Sequence, residues 1–267
     1  MIKKEEKLGI IGLGYVGGTV RNWFENRLKK HQLFFYDKFK KIGSLEEINR
    51  ADIIFISVPT PFNAKKGYDD SAVSESISAV KNGKIIVIKS TVLPGRTKYF
   101  QKKYPKKTIV FNPEFLRAKT AFEDFLMPDK QLVGYASEQG RLIAPKILSL
   151  LPKAPYSKII PSSDAEMVKY FNNTYLATRV IFANQIYDLC ERLGANYDIV
   201  KDCVVQDKRI GNSHFDVFSD GYRGYGGLCL PKDTKSLLWF ARKLKINIDL
   251  LKIVNSLNGK LRKKNAK

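Results

Sequence analysis

The run Leu8-Gly9-Ile10-Ile11-Gly12-Leu13-Gly14-Tyr15-Val16-Gly17 restricts the possible folds more than any other stretch of the chain. A short apolar strand leads into G-x-G-x-x-G, and a helical pattern follows through Val20, Trp23, Phe24 and Leu28. In that setting each glycine has a physical reason. Gly12 permits a tight turn, Gly14 lets a pyrophosphate approach the backbone, and Gly17 lets the helix lie close to the strand, with Tyr15 and Val16 completing the phosphate-binding turn. A second strand, Leu33-Phe34-Phe35-Tyr36, ends in Asp37, 20 residues beyond Gly17. A carboxylate there accepts from an adenosine ribose hydroxyl, which points to NAD as cofactor, while Lys38 and Lys40 nearby leave NADP open.

Further apolar runs follow at Ile53–Val58, Ile85–Ile88, Thr108–Phe111 and Leu132–Tyr135, separated by helical stretches. Unbroken apolar strands alternating with helices indicate a parallel sheet buried on both faces. We therefore expect a doubly wound α/β, Rossmann-like domain over residues 1–161. Ligands in such a sheet lie beyond the carboxyl ends of the strands, where this chain places Val58-Pro59-Thr60-Pro61, Ser90-Thr91-Val92-Leu93-Pro94-Gly95 and Asn112-Pro113-Glu114-Phe115-Leu116-Arg117. Each of these segments also reads as ordinary turn chemistry; three at one edge suggest a cofactor rim.

Strand and helix alternation gives way to helix near Pro161-Ser162-Ser163. Helical spacing of Met167, Val168, Phe171, Leu176, Val180, Ile186 and Leu189 predicts one long helix from Asp164 to Leu193, stopped by Gly194. A second helical pattern runs through Ile248, Leu251, Val254 and Leu257 to Leu261. Residues 162–267 are expected to form a smaller all-helical domain that serves dimerisation and catalysis, because its helices carry more apolar surface than one layer needs. Lys169 and Asn173, four residues apart, share a helix face and could hold a developing alkoxide, although surface residues have the same pattern. Between the helical patterns lies Gly224-Tyr225-Gly226-Gly227-Leu228-Cys229-Leu230-Pro231-Lys232-Asp233. Its cysteine stands at the start of a helix beside Lys232, a setting that favours a thiolate, and Gly226 and Gly227 leave room for a substrate. Taken alone, Cys229 also reads as a buried structural residue beside a tight turn.

Bulk properties exclude several classes. No apolar run approaches the ~20 residues that span a bilayer, and Met1-Ile2-Lys3-Lys4-Glu5-Glu6-Lys7 leads directly into a strand, so a cytoplasmic location without membrane association is expected. Cys190, Cys203 and Cys229 are widely spaced, with only His31 and His214 to assist, which argues against disulfides and a metal site. A formal charge of +21 is spread along the chain. It suits nucleic acid, a phosphate-bearing metabolite or a solvated lysine-rich surface; without a base-reading motif, nucleic acid is the least expected.

Taken together, these segments resemble the UDP-glucose/GDP-mannose dehydrogenase family. The match runs in order through Gly12–Gly17, Val58–Pro61, Ser90-Thr91, Asn112–Arg117, Lys169 with Asn173, Asp207-Lys208-Arg209-Ile210-Gly211 and Gly226–Asp233, and the last two segments look most like UDP-glucose 6-dehydrogenases. The resemblance implies oxidation of a nucleotide sugar, UDP-glucose or a relative, from C6 alcohol to uronate with two NAD, through a thiohemiacetal and a thioester. It implies Cys229 as nucleophile, Lys169 and Asn173 as oxyanion partners, Asp233 as an orienting group or base, and Thr91 and Glu114 as water-positioning residues. Asp37, Lys38, Thr60, Thr91 and Lys232 would line the NAD site with the glycine turn. Phe115, Leu116, Arg117, Lys169, Asn173, Arg209, Tyr225, Gly226 and Gly227 would meet the substrate, Arg209 in the neighbouring subunit of a homodimer. The family's second carboxylate, four residues after Glu114, is replaced by Ala118. Members also continue into a C-terminal sugar-nucleotide-binding domain that the sequence to Lys267 lacks, and the loop from Asn212 to Tyr225 is expected to compensate in part. Alternatives are a non-catalytic NAD-binding dimer module, a fragment that needs a separate sugar-nucleotide domain, and a GDP-mannose dehydrogenase.

Overall fold

A computed structural model describes residues 6–27, 32–218 and 221–264. Lys29, Lys30 and His31, and part of the loop between Asn212 and Tyr225, lie outside the described residues. The chain divides into two compact units, Met1–Lys169 and Tyr170–Lys267.

In the first unit the apolar runs become β1 (Leu8–Ile11), β2 (Leu33–Tyr36), β3 (Ile53–Ile56), β6 (Ile85–Ile88) and β7 (Thr108–Phe111). With β8 (Lys130–Tyr135) and β9 (Tyr156–Pro161) they form a seven-stranded sheet in the order β2-β1-β3-β6-β7-β8-β9. Period-two alternation sends successive side chains to opposite faces. Ile53 and Phe55 pack into one apolar layer with Val20 and Phe24, and Ile54 and Ile56 into another with Val73, Ile77 and Phe100. The layers are covered by helices that include α1 (Tyr15–Glu25), α3 (Ser71–Ala79), α4 (Arg96–Lys103) and α6 (Glu138–Leu150). The short α2 (Leu45–Ile48) and α5 (Ala121–Leu126), and the small hairpin of β4 (Phe62–Asn63) and β5 (Gly67–Tyr68), complete the unit up to the helix that follows β9.

The sheet is Rossmann-like, with a correction to the all-parallel expectation. β8 runs antiparallel to β7, and β9 pairs parallel to β8, so the last two strands oppose the first five. An apolar run announces a strand but carries no direction; the connection sets that. β9 escapes the sequence reading because none of its residues is fully buried.

The long helix, α7, spans Ser162–Leu193 without a break. Gly194 stops it with φ +69°, and the Ala195 N–H closes on the Cys190 carbonyl at 2.9 Å. The division between the two compact units falls after Lys169, inside α7. Bonds from the first turns of α7 to the sheet account for this, because Glu166 and Lys169 both bind loops of the first unit. Close contact adds to them: a Cβ on Gly134 in β8 would lie 2.8 Å from the Cα of Ser162 and 2.9 Å from the Cβ of Ala165.

The second unit holds the rest of α7 with α8 (Tyr197–Val204), α9 (Leu230–Lys243) and α10 (Asp249–Lys264). Ala177, Val180, Ile181, Leu238, Leu251 and Val254 form one core with Tyr225, and Ala183, Cys190, Tyr197 and Val217 form another. Among the described residues no helix is long and apolar enough to cross a membrane.

Candidate active site

The glycine turn forms as its sequence requires. Gly12 has φ +86°, and a Cβ there would lie 2.6 Å from the Ser57 carbonyl oxygen. On Gly17 a Cβ would lie 1.8 Å from the Gly12 oxygen, a contact that no side chain tolerates. Gly14, by contrast, faces open space and starts α1 with no capping side chain, which leaves the helix's first N–H groups for a ligand. Tyr15 is exposed, and the Val16 carbonyl accepts from the Thr19 hydroxyl at 2.7 Å.

A cleft of about 380 Å³ opens beside this turn, lined in part by Gly12, Gly14, Asp37, Lys38, Val58 and Pro59. Asp37 accepts from the N–H groups of Leu13 at 2.8 Å, Phe39 at 3.0 Å and Lys40 at 2.9 Å. Burial alone would raise its carboxyl; the three N–H groups and the Lys40 charge hold it below the usual carboxylate range. Its Oδ1 carries two of those bonds and its Oδ2 one, so Oδ2 keeps a lone pair for a ribose hydroxyl. Lys40 donates its ammonium to the Leu13 carbonyl at 2.6 Å, which commits that charge to the turn itself. The residues present fit an adenine dinucleotide, with Gly14 open to its phosphates and Asp37 ready for its ribose.

The loops after β6 and β7 carry the next groups. The Thr91 carbonyl accepts from the Thr60 hydroxyl at 2.8 Å and the Tyr68 hydroxyl at 3.3 Å, so Thr60 braces this loop rather than offering its hydroxyl proton to a cofactor. After β7, Glu114 bonds Lys169 at 3.0 Å, and its other oxygen accepts the Leu116 N–H at 2.7 Å. Both charged side chains are buried. Burial would raise the Glu114 carboxyl, but the Lys169 ammonium, the Leu116 N–H and the Lys89 charge outweigh it and keep the group ionised. Lys89, also buried, bonds the Asn112 side chain, and burial lowers its own ammonium to about 8. Phe115 lies 5.5 Å below Lys169 and 4.2 Å below Lys130, while Arg117 is exposed and pairs with Asp124 at 2.6 Å.

In the second unit Cys229 is exposed, which removes the reading of a buried structural thiol. It occupies the N-cap position of α9, has no capping side-chain bond, and precedes a proline in the first turn. One turn further, Asp233 is fully buried and accepts from the Asn173 amide at 2.6 Å and from the Lys232 ammonium. Asn173 is buried as well, so neither it nor Lys169 is the surface residue that helical spacing alone would allow. Lys232, expected at the NAD site, is tied to Asp233. Gly227, at φ +71°, has open space where a Cβ would stand. Gly226 corrects the expectation of room for substrate, because the Tyr222 hydroxyl fills its Cβ position at 2.1 Å. Tyr225 is buried, with its N–H and carbonyl both held by the Asn258 side chain at 2.7 and 3.0 Å. Arg209 is exposed and pairs with Asp207 at 2.6 Å. Among the described residues no group of His, Cys, Asp and Glu could hold a metal ion.

Sequence reading missed Tyr68, Lys89, Glu166 and Asn258. Each was hidden for a physical reason: a two-residue strand, a lysine ending an apolar run, a glutamate among helix polars, and an asparagine within a basic helix. Only their hydrogen-bond partners, in buried positions for all but the half-buried Tyr68, reveal their tasks.

Comparison with known proteins places most of the chain in one lineage. Residues 28–150 match the NAD binding domain of the UDP-glucose/GDP-mannose dehydrogenase family, and residues 163–260 match its central domain. The cofactor is therefore NAD. A UDP-glucose 6-dehydrogenase of Rickettsia prowazekii is 36% identical over 237 residues, covering 85% of this chain and 53% of that protein. One from Campylobacter jejuni is 34% identical over 268 residues, covering 87% of this chain and 67% of the relative. A solved UDP-glucose dehydrogenase from Pyrobaculum islandicum aligns with TM-score 0.80 and 28% identity, over 97% of this chain and 69% of its own. The chain thus spans about half the length of several of the curated relatives that it matches. With two domain models matched in order, one over residues 28–150 of the sheet unit and one over residues 163–260 with the cysteine-bearing helix, this chain belongs to the UDP-glucose/GDP-mannose dehydrogenase family.

Proposed function

We propose that this chain oxidises the C6 alcohol of a nucleotide sugar to the carboxylate, with UDP-glucose to UDP-glucuronate as the leading case. The carrying observation is the exposed Cys229 at an uncapped helix start, one turn before the buried Asp233–Asn173 pair. The N–H groups of that helix start favour the thiolate. NAD, when bound, supplies the hydride acceptor for both oxidations, two per sugar.

The chain's own groups then divide the work. Lys169 and Asn173 hold the oxygen at C6 as it gains charge, each already oriented by a carboxylate, Glu114 or Asp233. Cys229 adds through Sγ to the aldehyde carbon, forming the thiohemiacetal; loss of the second hydride leaves a thioester. Asp233 orients Asn173 and takes up protons beside the thiol. With alanine at position 118, Glu114 serves as the carboxylate that accepts the proton of the water cleaving the thioester, assisted by Thr91, and Cys229 departs as thiolate. Asp37, Gly14 and Lys38 hold NAD, while Phe115, Leu116, Arg117, Tyr225 and Gly227 meet the sugar nucleotide.

The protein works in the cytoplasm as a homodimer in this reading. Phe171, Tyr175, Phe182 and Leu189 are all more than half exposed along α7, at spacings that keep them on one side of the helix. Arg209 then serves the neighbouring subunit's substrate. A second reading, a NAD-binding module that needs a separate sugar-nucleotide domain, draws on the chain's spanning 53% of its Rickettsia prowazekii relative.

Counting NADH formed per sugar, with UDP-glucose, GDP-mannose and UDP-N-acetylsugars in turn, separates these. Two NADH per UDP-glucose is the expected result. NAD binding with no NADH from any sugar would overturn the catalytic reading in favour of the module.

A further inference from the structure

Glu166 is a fully buried carboxylate that the proposed chemistry does not use. It projects from the first turns of α7 and accepts the Gly95 N–H at 2.6 Å on one oxygen and the Thr97 N–H at 2.8 Å on the other. Those N–H groups belong to the start of α4, whose N-cap is Gly95 and whose first turn contains no acidic residue. The cap that α4 lacks in its own sequence therefore comes from another helix. Four residues before Gly95 stands Thr91, whose carbonyl accepts from the Thr60 and Tyr68 hydroxyls. Three residues after Glu166 stands Lys169, bound to Glu114. The opening of α7 is thus bolted to the loops after β6 and β7, by one glutamate and one lysine.

We propose that Glu166 is a positioning residue: by capping α4 from α7 it fixes the Ser90–Gly95 loop, and Thr91 within it, relative to the helix turn that carries Lys169. The inference rests on the proposed function for the importance of Thr91 and Lys169. The charged and titratable groups around the carboxylate are few. Arg96 faces it from α4, itself bound to Asp70 at 2.6 and 3.0 Å; Tyr68 faces it from β5; and Asp164 and Lys169 flank it on its own helix. Burial pushes the Glu166 carboxyl up to about 7, against the pull of the Thr97 and Gly95 N–H groups and Arg96. Ionised, it offers both N–H groups a charged acceptor; protonated, it loses one.

Two quantities should then move in opposite directions with pH. A carboxyl raised in the folded state stabilises the fold most below the ordinary glutamate range, and that contribution is lost as pH rises through about 7. The grip on the Thr91 loop strengthens over the same interval. The test uses the full chain, wild type and Glu166→Gln, with the amide resonances of Gly95 and Thr97, the thermal midpoint, and NAD affinity from quenching of tryptophan emission, each from pH 5.5 to 8.5. In wild type the two amides should titrate together near pH 7, and NAD affinity should fall as pH drops through that value. Glu166→Gln, a neutral mimic of the protonated form, should bind NAD about tenfold more weakly at pH 8 and show little pH dependence. Equal pH profiles of NAD affinity in the two proteins would overturn the proposal. So would wild-type amides that do not titrate, a result that stands even if the variant fails to fold. None of these readouts needs turnover: absence of sugar oxidation with titrating amides defeats the proposed activity and leaves the positioning role in place.

Discussion

Two glycine-containing turns of this chain lead into helices that begin without a capping side chain, Gly12–Gly17 before α1 and Gly224–Cys229 before α9, and they differ in what dictates their residues. In the first, crowding does it. Backbone oxygens of Ser57 and Gly12 occupy the places where Cβ atoms of Gly12 and Gly17 would stand, so the spacing is written by sterics and is legible as a pattern. The second turn is crowded only by side chains, Asn258 at Gly224 and Tyr222 at Gly226, has room at Gly227, and carries Cys229, Lys232 and Asp233. A helix start built by exclusion serves a ligand that must lie against backbone; in the proposed function, one built by placement serves a side chain that must react.

Substitution can break this contrast. The largest effect is expected from Cys229→Ala, which should abolish net acid formation from the sugar nucleotide while NAD affinity stays within about twofold of wild type. Normal uronate output in a chromatographic assay would mean that the second turn is structural like the first. Next in size is Gly17→Ala. Its methyl would meet the Gly12 carbonyl, so we expect a loss of about 3 kcal/mol in denaturant unfolding together with loss of NAD binding. The smallest is Gly227→Ala, where the backbone's positive φ costs about 1 kcal/mol and nothing is in the way. If Gly227→Ala destabilised the fold as much as Gly17→Ala, the distinction between a position closed by backbone and an open one would fail.

The same contrast explains what could be read in advance. The strands β1, β3, β6 and β7 are buried on both faces, so their apolar runs identify them, and α7 declares itself by unbroken helical spacing up to Gly194. Tyr36-Asp37 and the cysteine segment were legible because their chemistry demands particular residues in a particular order. The reversal at β8 and the edge strand β9 were not, since direction and edge position leave no mark on a short run of residues. Glu166 is the clearest loss. Next to Asp164 on a predicted helix it reads as one more solvated carboxylate, and only the uncapped start of α4, far away in sequence, shows why it is buried. Interactions that one segment makes on behalf of another are the hardest to see in a sequence.

Gly134 extends that lesson to a position with no polar chemistry at all. It lies within β8, apart from every recognisable motif, and its missing side chain sets how near the opening turn of α7 comes to the sheet. That distance acts as a gauge block: two hydrogen-bonding residues downstream, Glu166 and Lys169, are cut to a length that suits one spacing only. A methyl group at position 134 would lift the whole turn by a fraction of its bond lengths, and both partners would miss their marks together. A change in a silent strand residue would then present itself as a defect of chemistry, and its origin would be sought in the wrong place.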